Sequence, residues 1–329
     1  MGGLIGRVIY QIMLDSEPFD VLAFGSVTHE LLAWVDRYPG ASDGIHTNKL
    51  LWTGGGMSGN LVHAVARLGG RAALISATGD DVVGDKIVGQ LHDVGVNTDY
   101  LLRRRNTASQ VTVLMVTPDL KRAGLVINLP PELQVKSEEV PDSLLQSARV
   151  FFTDMEPAEV AINVARRAKA FGCPVAYDLQ MAPERVNLPG HAKNIRRMLA
   201  TTDYLFTDEE NFLLWSNCSD VSKAIANVLA EYPHITILIT QGSTGSVLAT
   251  KMDIITIPAL GVKIVDSIGA GDAYHGAFLY THLGLKWPMR KASLFGAAAA
   301  ALSCARAGAR EGLPTMNEIV SFLQRVDYD

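Results

Sequence analysis

Three segments near the N-terminus decide the fold class of this chain: residues 19–27 read FDVLAFGSV, residues 58–68 read SGNLVHAVARL, and residues 71–77 read RAALISA. The first and third are short apolar runs of the length of a buried strand. The apolar residues of the middle segment fall on one helical face, and Gly69-Gly70 follows where a helix would end. This stretch therefore predicts a strand–helix–strand unit, from which parallel sheets are built.

The same alternation continues along the chain. Strands are predicted at residues 150–155, 175–178, 204–207 and 235–240, and helices at residues 82–94, 157–171, 190–200, 219–231, 270–283, 288–306 and 315–326. We expect an α/β fold with a three-layer αβα core, in which helices cover both faces of a mostly parallel sheet. Residues 28–53 and 108–128 lack a helical period and contain short apolar segments, which predicts a small β lid.

Composition and charge limit the possible functions. The chain has 329 residues, of which 48% are hydrophobic, so it can bury a large core. We expect an N-terminal extension at residues 1–19 and one domain at residues 20–329, with the lid segments inside it. The net charge of −5 argues against a nucleic-acid surface, which needs a concentrated positive field.

Cysteine and histidine patterns favour neither a zinc site nor a disulfide framework. Cys173, Cys218 and Cys304 are far apart and form no CxxC pair, which fits a reducing, cytoplasmic location. His275 and His282 are seven residues apart, a spacing that arises by coincidence more often than from a shared metal. The apolar run at residues 4–14 is interrupted by polar side chains and is shorter than the ~20 residues of a membrane span.

The stretch DSIGAGD at residues 266–272 precedes a predicted helix. Small residues at Gly269, Ala270 and Gly271 would let backbone amides converge on an anion at the start of that helix. Asp272 in the first turn could be an ordinary helix-end residue. Alternatively, it is a base that takes a proton from a hydroxyl nucleophile beside amides that stabilise a transferring phosphoryl group. The chain has no GxxxxGK[ST] phosphate loop.

Two motifs resemble, in order and spacing, those of the ribokinase-like (PfkB) family of carbohydrate and nucleoside kinases. Residues 55–60 read GGMSGN, and are followed by RLG at 67–69 and GDDVVG at 79–84, while residues 266–272 supply the second motif and Gly276 follows it. The resemblance runs from about residue 20 to residue 325. It implies an α/β core with a β lid, MgATP as phosphoryl donor, and a hydroxymethyl group of a small sugar or nucleoside as acceptor.

The resemblance also implies roles for individual residues. Asp272 is similar to the catalytic base, and Gly269, Ala270 and Gly271 to the anion hole. The residues assigned to the acceptor are Glu30, Gly55, Gly56, Asn60, Gln110, Glu156 and Asp178. Those assigned to ATP are Asp208, Gln241, Gly242, Ser243 and Gly245, and Glu209 is assigned to Mg²⁺ through water. Asp266, Ile268, Ser303 and Gly308 match a monovalent-cation site, so K⁺ is a further expected cofactor.

Some of these positions have simpler explanations, and others depart from the family pattern. Asn60 could be a helix cap, and residues 241–245 an ordinary turn. Residues 28–30 read THE in place of Asn-x-Asp, residues 208–211 read DEEN in place of NxxE, and residues 178–180 read DLQ in place of Asp-x-Asn. These changes bear on the acceptor and on how magnesium is held.

Three short patches resemble bacterial sulfofructose and ketohexose kinases: Ser109-Gln110, residues 274–276 and residues 304–310. If the acceptor were anionic, residues 103–105 and Arg310 would be candidate partners, since arginine matches sulfonate and phosphate oxygens. Arg310 could equally be a solvated helix-end residue.

The sequence therefore favours an ATP-dependent sugar kinase. A nucleoside kinase on the same fold is the first alternative, with Trp34, Tyr38 and Trp52 available to face a base. A non-catalytic sugar-binding relative is the second alternative. Exposed edges of the lid strands could pair with a second copy and form a homodimer.

Overall fold

The computed structural model describes residues 17–127, 130–180 and 190–326. Most of the expected N-terminal extension, residues 1–16, lies outside the described residues, as does residue 128 of the second lid segment. Phe19 forms a bridge with Ala148, so residue 19 already pairs with the core.

Two sheets organise the chain. The large sheet has nine strands in the order β13-β12-β11-β10-β9-β8-β1-β4-β5, and the small one has four in the order β3-β2-β6-β7. The strands are β1 (Val21–Phe24), β2 (Thr28–Trp34), β3 (Leu50–Gly55), β4 (Ala72–Gly79), β5 (Leu101–Arg104), β6 (Val111–Val116), β7 (Arg122–Ile127), β8 (Phe151–Thr153), β9 (Val175–Leu179), β10 (Tyr204–Asp208), β11 (Thr236–Thr240), β12 (Ser246–Ala249) and β13 (Ile254–Ile257).

Ten α-helices are described. They are α1 (Met57–Arg67), α2 (Val82–His92), α3 (Asp142–Gln146), α4 (Ala158–Ala170), α5 (His191–Leu199), α6 (Glu209–Ser216), α7 (Val221–Glu231), α8 (Ala270–Leu279), α9 (Met289–Cys304) and α10 (Met316–Leu323). No helix among the described residues combines the length and the apolar run needed to span a lipid bilayer.

The large sheet is covered on both faces, as the αβα prediction requires. Leu22 and Phe24 of β1 belong to one buried apolar cluster, which includes residues of α4, α5 and α7. Val21 and Ala23 of the same strand belong to a second cluster, which includes residues of α1, α8 and α9. Successive side chains of a strand point to opposite faces, so the sheet separates two helical layers.

The small sheet confirms the predicted lid, and we call it the lid sheet. Strand β2 pairs with β3 antiparallel and with β6 parallel, and β6 pairs with β7 antiparallel. Short connections join it to the core, because β2 follows β1 directly and β3 runs into α1 through Gly56. Gly56 has φ 81°, and a Cβ there would lie 2.7 Å from the Ser26 carbonyl oxygen, so this hinge requires glycine.

The structure differs from the sequence prediction at a few elements. Strands β12 and β13 pair antiparallel at one edge of the otherwise parallel large sheet. Strand β5 and helices α3 and α6 were not predicted, since they are only four, five and eight residues long and show no clear period. The helix predicted at residues 270–283 ends as an α-helix at Leu279 and continues as a π-helical turn over Tyr280–Gly284.

Candidate active site

Asp272 lies in the first turn of α8 and is buried. Its Oδ2 accepts a hydrogen bond of 2.9 Å from the side-chain amide of Asn60 on α1. Its Oδ1 is buried and has no hydrogen-bond partner. A buried carboxylate oxygen left open at the start of a helix is placed to accept a proton from a ligand hydroxyl.

The turn that leads into α8 has the shape of an anion site. Gly269 caps the helix with φ 77°, and Ala270 and Gly271 begin it. Amides of a first helical turn have no partner within the helix, and the helix dipole favours negative charge there. The predicted anion hole and the predicted base therefore lie on one turn of backbone.

Asn60 lies between two ionisable groups. It donates through Nδ2 to Asp272, and its Oδ1 accepts from Nε of Arg310 at 3.0 Å. Nη2 of Arg310 donates to the Gly55 carbonyl at 2.8 Å. The alternative that Arg310 is a solvated helix-end residue is wrong, because only 4% of this residue is exposed. Asn60 is not the cap residue of α1, a position that Gly56 occupies.

Asp272, Asn60 and Arg310 form a buried corner, and Glu30 of β2 faces it from the lid sheet. Burial raises the pKa of Glu30 to about 7, while Arg310 and the Gly56 amide oppose that rise. A Cβ at Gly55 would overlap the Glu30 carboxyl group, at 2.0 Å from its Cδ. Glu30, Gly55, Gly56 and Asn60, all assigned to the acceptor, are thus brought together.

Asp178 at the end of β9 completes this corner. Its Oδ2 lies 3.2 Å from Nδ1 of His275, which is one turn after Asp272 on α8. The three side chains are buried, and they offer ligand atoms that all lie within 4.8 Å of one another. His282 is directed elsewhere, with Nδ1 2.7 Å from the Trp287 carbonyl oxygen.

Two residues assigned to the acceptor contribute in other ways. The Gln110 carbonyl accepts hydrogen bonds from the His29 amide and the Thr28 hydroxyl, which joins β6 to β2. Glu156 lies in the loop after β8, where its amide donates to Oδ1 of Asp154.

Asp154 ties the lid hinge to the core. Its Oδ2 accepts from the Ser26 amide at 2.8 Å, the Ser26 hydroxyl at 2.6 Å and the Ser58 hydroxyl at 3.0 Å. Burial raises the pKa of Asp154 to about 6, although the hydrogen bonds from both serines oppose that rise. Ser26 precedes the lid strand β2 and Ser58 lies in α1, so one carboxylate fixes both sides of the hinge.

We expect Asp154→Ala to lower the free energy of unfolding by about 1–3 kcal/mol at neutral pH. Each buried donor left without an acceptor costs about 1–3 kcal/mol, and removal of a carboxyl group whose pKa is raised by burial offsets part of that cost. Chemical denaturation would measure the loss. Asp93→Ala is the matched control, since the Asp93 side chain is 82% exposed, and it should leave the unfolding midpoint unchanged. A loss below about 1 kcal/mol would show that water replaces the carboxylate at little cost.

The residues assigned to ATP and magnesium lie at the ends of β10 and β11. Gln241 begins a tight turn over residues 241–245, and its Nε2 donates to Oε2 of Glu209 at 2.9 Å. Gly245 has φ 110°, and a Cβ there would lie 2.1 Å from the Ile257 carbonyl oxygen. Gly242 and Ser243, also assigned to ATP, are exposed in this turn.

Asp208 acts as a helix cap. Both of its oxygens accept from Asn211, one from the backbone amide at 2.8 Å and the other from the side-chain amide. In the altered DEEN segment, Asp208 and Asn211 are therefore bonded to each other. Glu209 is left to contact the turn at Gln241.

The four residues assigned to a monovalent cation lie around one junction. Asp266 accepts through Oδ1 from the Ile268 amide and through Oδ2 from the Gly308 amide, both at 3.0 Å. Ser303 is buried at the end of α9, and its hydroxyl has no hydrogen-bond partner. This junction supports the turn of Gly269, because a Cβ on Gly269 would lie 2.9 Å from the Ala309 carbonyl oxygen.

Sequence reasoning assigned no role at this site to Asp154 or His275. The spacing of His275 from Asp272 places both on one face of α8 and could have indicated the pair. Nothing local marks Asp154, because its contacts join residues that are 96 and 128 positions apart.

Comparisons with known proteins agree with this geometry. Residues 19–316 match the sequence profile described as pfkB family carbohydrate kinase. Fructokinase-2 of Solanum habrochaites is 28% identical over 287 residues, which cover 82% of this chain and 87% of that protein.

Two solved structures share the fold. Arabidopsis thaliana ribokinase, complexed with ribose and ATP, has a TM-score of 0.79 at 22% identity and covers 94% of this chain and 100% of its own. An E. coli protein described as ribokinase II, in complex with ATP and Mg²⁺, has a TM-score of 0.81 at 22% identity, with coverages of 93% and 99%. Since the profile extends over most of the chain, and both signature segments meet at one buried corner, the protein belongs to the pfkB family of carbohydrate kinases.

Proposed function

We propose that this protein transfers the γ-phosphoryl group of ATP to a hydroxymethyl group of a small sugar, with Asp272 as the general base. One observation carries the proposal: Asp272 is buried at the start of α8, with Oδ2 held by Asn60 and Oδ1 open. A hydroxyl in that corner would find a proton acceptor beside the amides that receive negative charge.

The steps follow from these positions. The acceptor hydroxyl donates its proton to Oδ1 of Asp272 as its oxygen bonds to the γ-phosphorus, and the bond from that phosphorus to the bridging oxygen of ADP breaks. Amides of the Gly269–Gly271 turn stabilise the negative charge on the migrating group. Glu30 and Asn60 hold the other hydroxyl groups, because the carboxyl and the amide both form hydrogen bonds with hydroxyls. The lid sheet would exclude water from the γ-phosphoryl group.

ATP and Mg²⁺ fit the residues at the ends of β10 and β11. Glu209 is the carboxylate beside the exposed Gln241 turn, whereas both oxygens of Asp208 are occupied by Asn211. We assign Glu209 to a water of the magnesium shell, and residues 241–245 to the nucleotide. Bound Mg²⁺ neutralises the charge that develops on the phosphates.

A monovalent cation would stabilise the Gly269–Gly271 turn from the side of residues 303–308. The unpartnered, buried hydroxyl of Ser303 and the carboxylate of Asp266 are the oxygen donors at the junction of residues 266–268 with residues 303–308. We propose that these oxygens would hold K⁺, whose charge would stabilise the adjoining turn of Gly269.

The direct test is a panel of sugars, sugar acids and nucleosides incubated with the purified protein and MgATP, in KCl or in NaCl. We expect acceptor-dependent ADP release with at least one sugar, a phosphorylated hydroxymethyl group by NMR, and a higher rate in KCl. ADP release with nucleosides and with no sugar would show that the acceptor is a nucleoside. No turnover with any acceptor would leave the non-catalytic alternative.

The nucleoside alternative has one observation in its favour. Trp52 on β3 is half exposed and stacks on His29, with ring centroids 5.1 Å apart, which leaves an aromatic surface on the lid sheet. Thermal shifts with adenosine against fructose or ribose would separate the two classes, since a ligand that binds the folded state raises Tm.

We also propose a homodimer through the lid sheet. Its edge strand β7 exposes Leu125, Val126 and Ile127, and an exposed apolar edge is suited to pairing with another chain. Light scattering would measure the molecular mass in solution, and a monomer would reject this assembly.

A further inference from the structure

Arg310 is a buried cation beside the proposed base. It lies between α9 and α10, and its guanidinium contacts α1 through Asn60 and β3 through the Gly55 carbonyl. Burial lowers the pKa of Arg310 to about 10, so it stays charged near neutral pH. Burying a charge is costly unless its partners are well placed, which suggests a specific role for this side chain.

The surrounding backbone leaves space for the guanidinium. A Cβ at Gly54 would lie 2.2 Å from Nη1 of Arg310, and a Cβ at Gly59 would lie 2.5 Å from Nη2. Glycines on two different elements thus make room for one arginine, which fixes where its planar donor group can lie.

This contact determines which way the Asn60 amide faces. A guanidinium has only donors, so the oxygen of Asn60 must face Arg310 and its NH₂ must face Asp272. The reversed amide would place N–H groups against N–H groups, and its oxygen against the carboxylate. In the observed orientation Asn60 donates to Asp272, which favours the ionised form of that carboxyl group.

The charges around Asp272 make this orientation important. Burial raises the pKa of Asp272, and the carboxyl groups of Asp178 on β9, Glu30 on β2 and Asp154 after β8 add to that rise. His275 lies beside Asp272 on α8. Arg310 interacts favourably with Glu30, then with Glu311 and with Asp272.

Two histidines also face Arg310. Burial lowers the pKa of His29 on β2, and Lys86 and Arg310 add to that effect. Burial, with Arg310 and Arg67, lowers the pKa of His63 on α1 to about 3. Both therefore favour the neutral form, and Arg310 supplies positive charge to this corner.

We propose that Arg310 is a positioning residue for the phosphoryl-transfer reaction, which acts through Asn60 to hold Asp272 as an ionised base with Oδ1 directed to the acceptor. This inference rests on the proposed function of Asp272. The segment after α9 would then serve proton transfer through Arg310, in addition to supplying Gly308 to the proposed cation site.

Arg310→Met tests the proposal, since it keeps an unbranched apolar stem and removes the charge and the donors. With the best acceptor of the sugar panel, we expect kcat to fall about tenfold or more, and the acid limb of the kcat–pH profile to move up by about one pH unit or more. Arg310→Lys restores the charge, so its acid limb should lie near that of the wild type. Arg197→Met, which removes a surface ion pair with Glu159, is the control and should change neither quantity.

An unchanged acid limb in Arg310→Met would overturn the proposal even if kcat fell, because loss of packing alone would not shift it. If that variant does not fold, Arg310→Gln gives the same test. Glutamine has no charge, and its amide can donate or accept, so it no longer fixes the orientation of the Asn60 amide. Its acid limb should also move to higher pH, and an unshifted limb would again reject the role.

A second measurement needs no turnover. Protonated Asp272 contributes stability that is present in full below its unfolded-state pKa and is lost as pH rises through its raised folded-state pKa. The difference in Tm between wild type and Asp272→Asn should therefore fall with pH and then level off. When Arg310→Met is added to both wild type and Asp272→Asn, the Tm difference between the two should level off at a higher pH. If the Tm difference depends on pH in the same way with and without Arg310→Met, the role of Arg310 is rejected. If the sugar panel failed, the kinase proposal would fall while this comparison still tested Arg310.

Discussion

We expect Asp272→Asn to lower kcat by about 10²- to 10⁴-fold, the range that a positioned general base contributes. The substitution is isosteric, and the new amide can still accept through its oxygen the hydrogen bond that Asn60 now donates. It removes the negative charge and, with it, the ability to take a proton at Oδ1. Steady-state ADP release with the best acceptor would measure the loss, and KM for ATP should change little.

The pH dependence of the wild type follows from the surroundings of Asp272. Burial raises its pKa well above the ordinary value, the hydrogen bond from Asn60 opposes that rise, and the neighbouring carboxyl groups add to it. A base acts in its ionised form, so kcat should rise with pH through this pKa and level off above it. Asp272→Asn should lose this acid limb and show a flat residual rate.

Folding provides the control for Asp272→Asn. The neutral amide avoids the cost of a buried charge, so at neutral pH the variant should unfold at the same temperature as the wild type or above it. Asp93→Asn, at an exposed carboxylate, should keep full activity. A variant at Asp272 that folded and retained kcat within about tenfold of wild type would remove the carboxylate from the mechanism.

Local pattern was sufficient for most of the fold. Strand β1 is four buried residues followed by glycine, and α1 places one apolar face on the sheet, so length and period alone identified them. The antiparallel hairpin of β12 and β13 was not predicted, because its direction depends on pairing with β11 across the turn at residues 241–245. Ile254 is exposed, which also weakens the strand pattern there.

The candidate site also contains residues that local sequence identified and residues that it could not place. The GAGD turn was identified because the proposed anion-binding amides and the proposed base are consecutive in sequence. Arg310 could not be placed, because its contacts with Asn60 and Gly55 span 250 and 255 positions and depend on how the lid sheet meets α1. Asp208 shows the opposite case: its sequence position indicated a nucleotide contact, while its side chain is occupied by a cap three residues away.

The turn before Asp272 gives the second large effect. Gly269 has φ 77°, a left-handed conformation that costs a residue with a Cβ about 1–2 kcal/mol. The added Cβ of Gly269→Ala would also lie 2.9 Å from the carbonyl oxygen of Ala309 and 3.0 Å from its Cα. Backbone atoms cannot rotate away as a flexible side chain can, so either the first turn of α8 or residues 308–310 must move.

We therefore expect Gly269→Ala to lower kcat by about 10²-fold or more, comparable to the loss of one oxyanion donor, since the amides after it would no longer converge on the phosphoryl group. Gly89→Ala in α2 is the matched control, because a Cβ there meets no atom within 4 Å, and a helical alanine should slightly raise Tm. Parallel measurements of Tm and kcat distinguish misalignment from unfolding: a cooperative transition with most of the activity lost supports misalignment. Wild-type kcat in a folded Gly269→Ala protein would mean that the turn tolerates displacement, and that the transferring group takes its stabilisation from elsewhere.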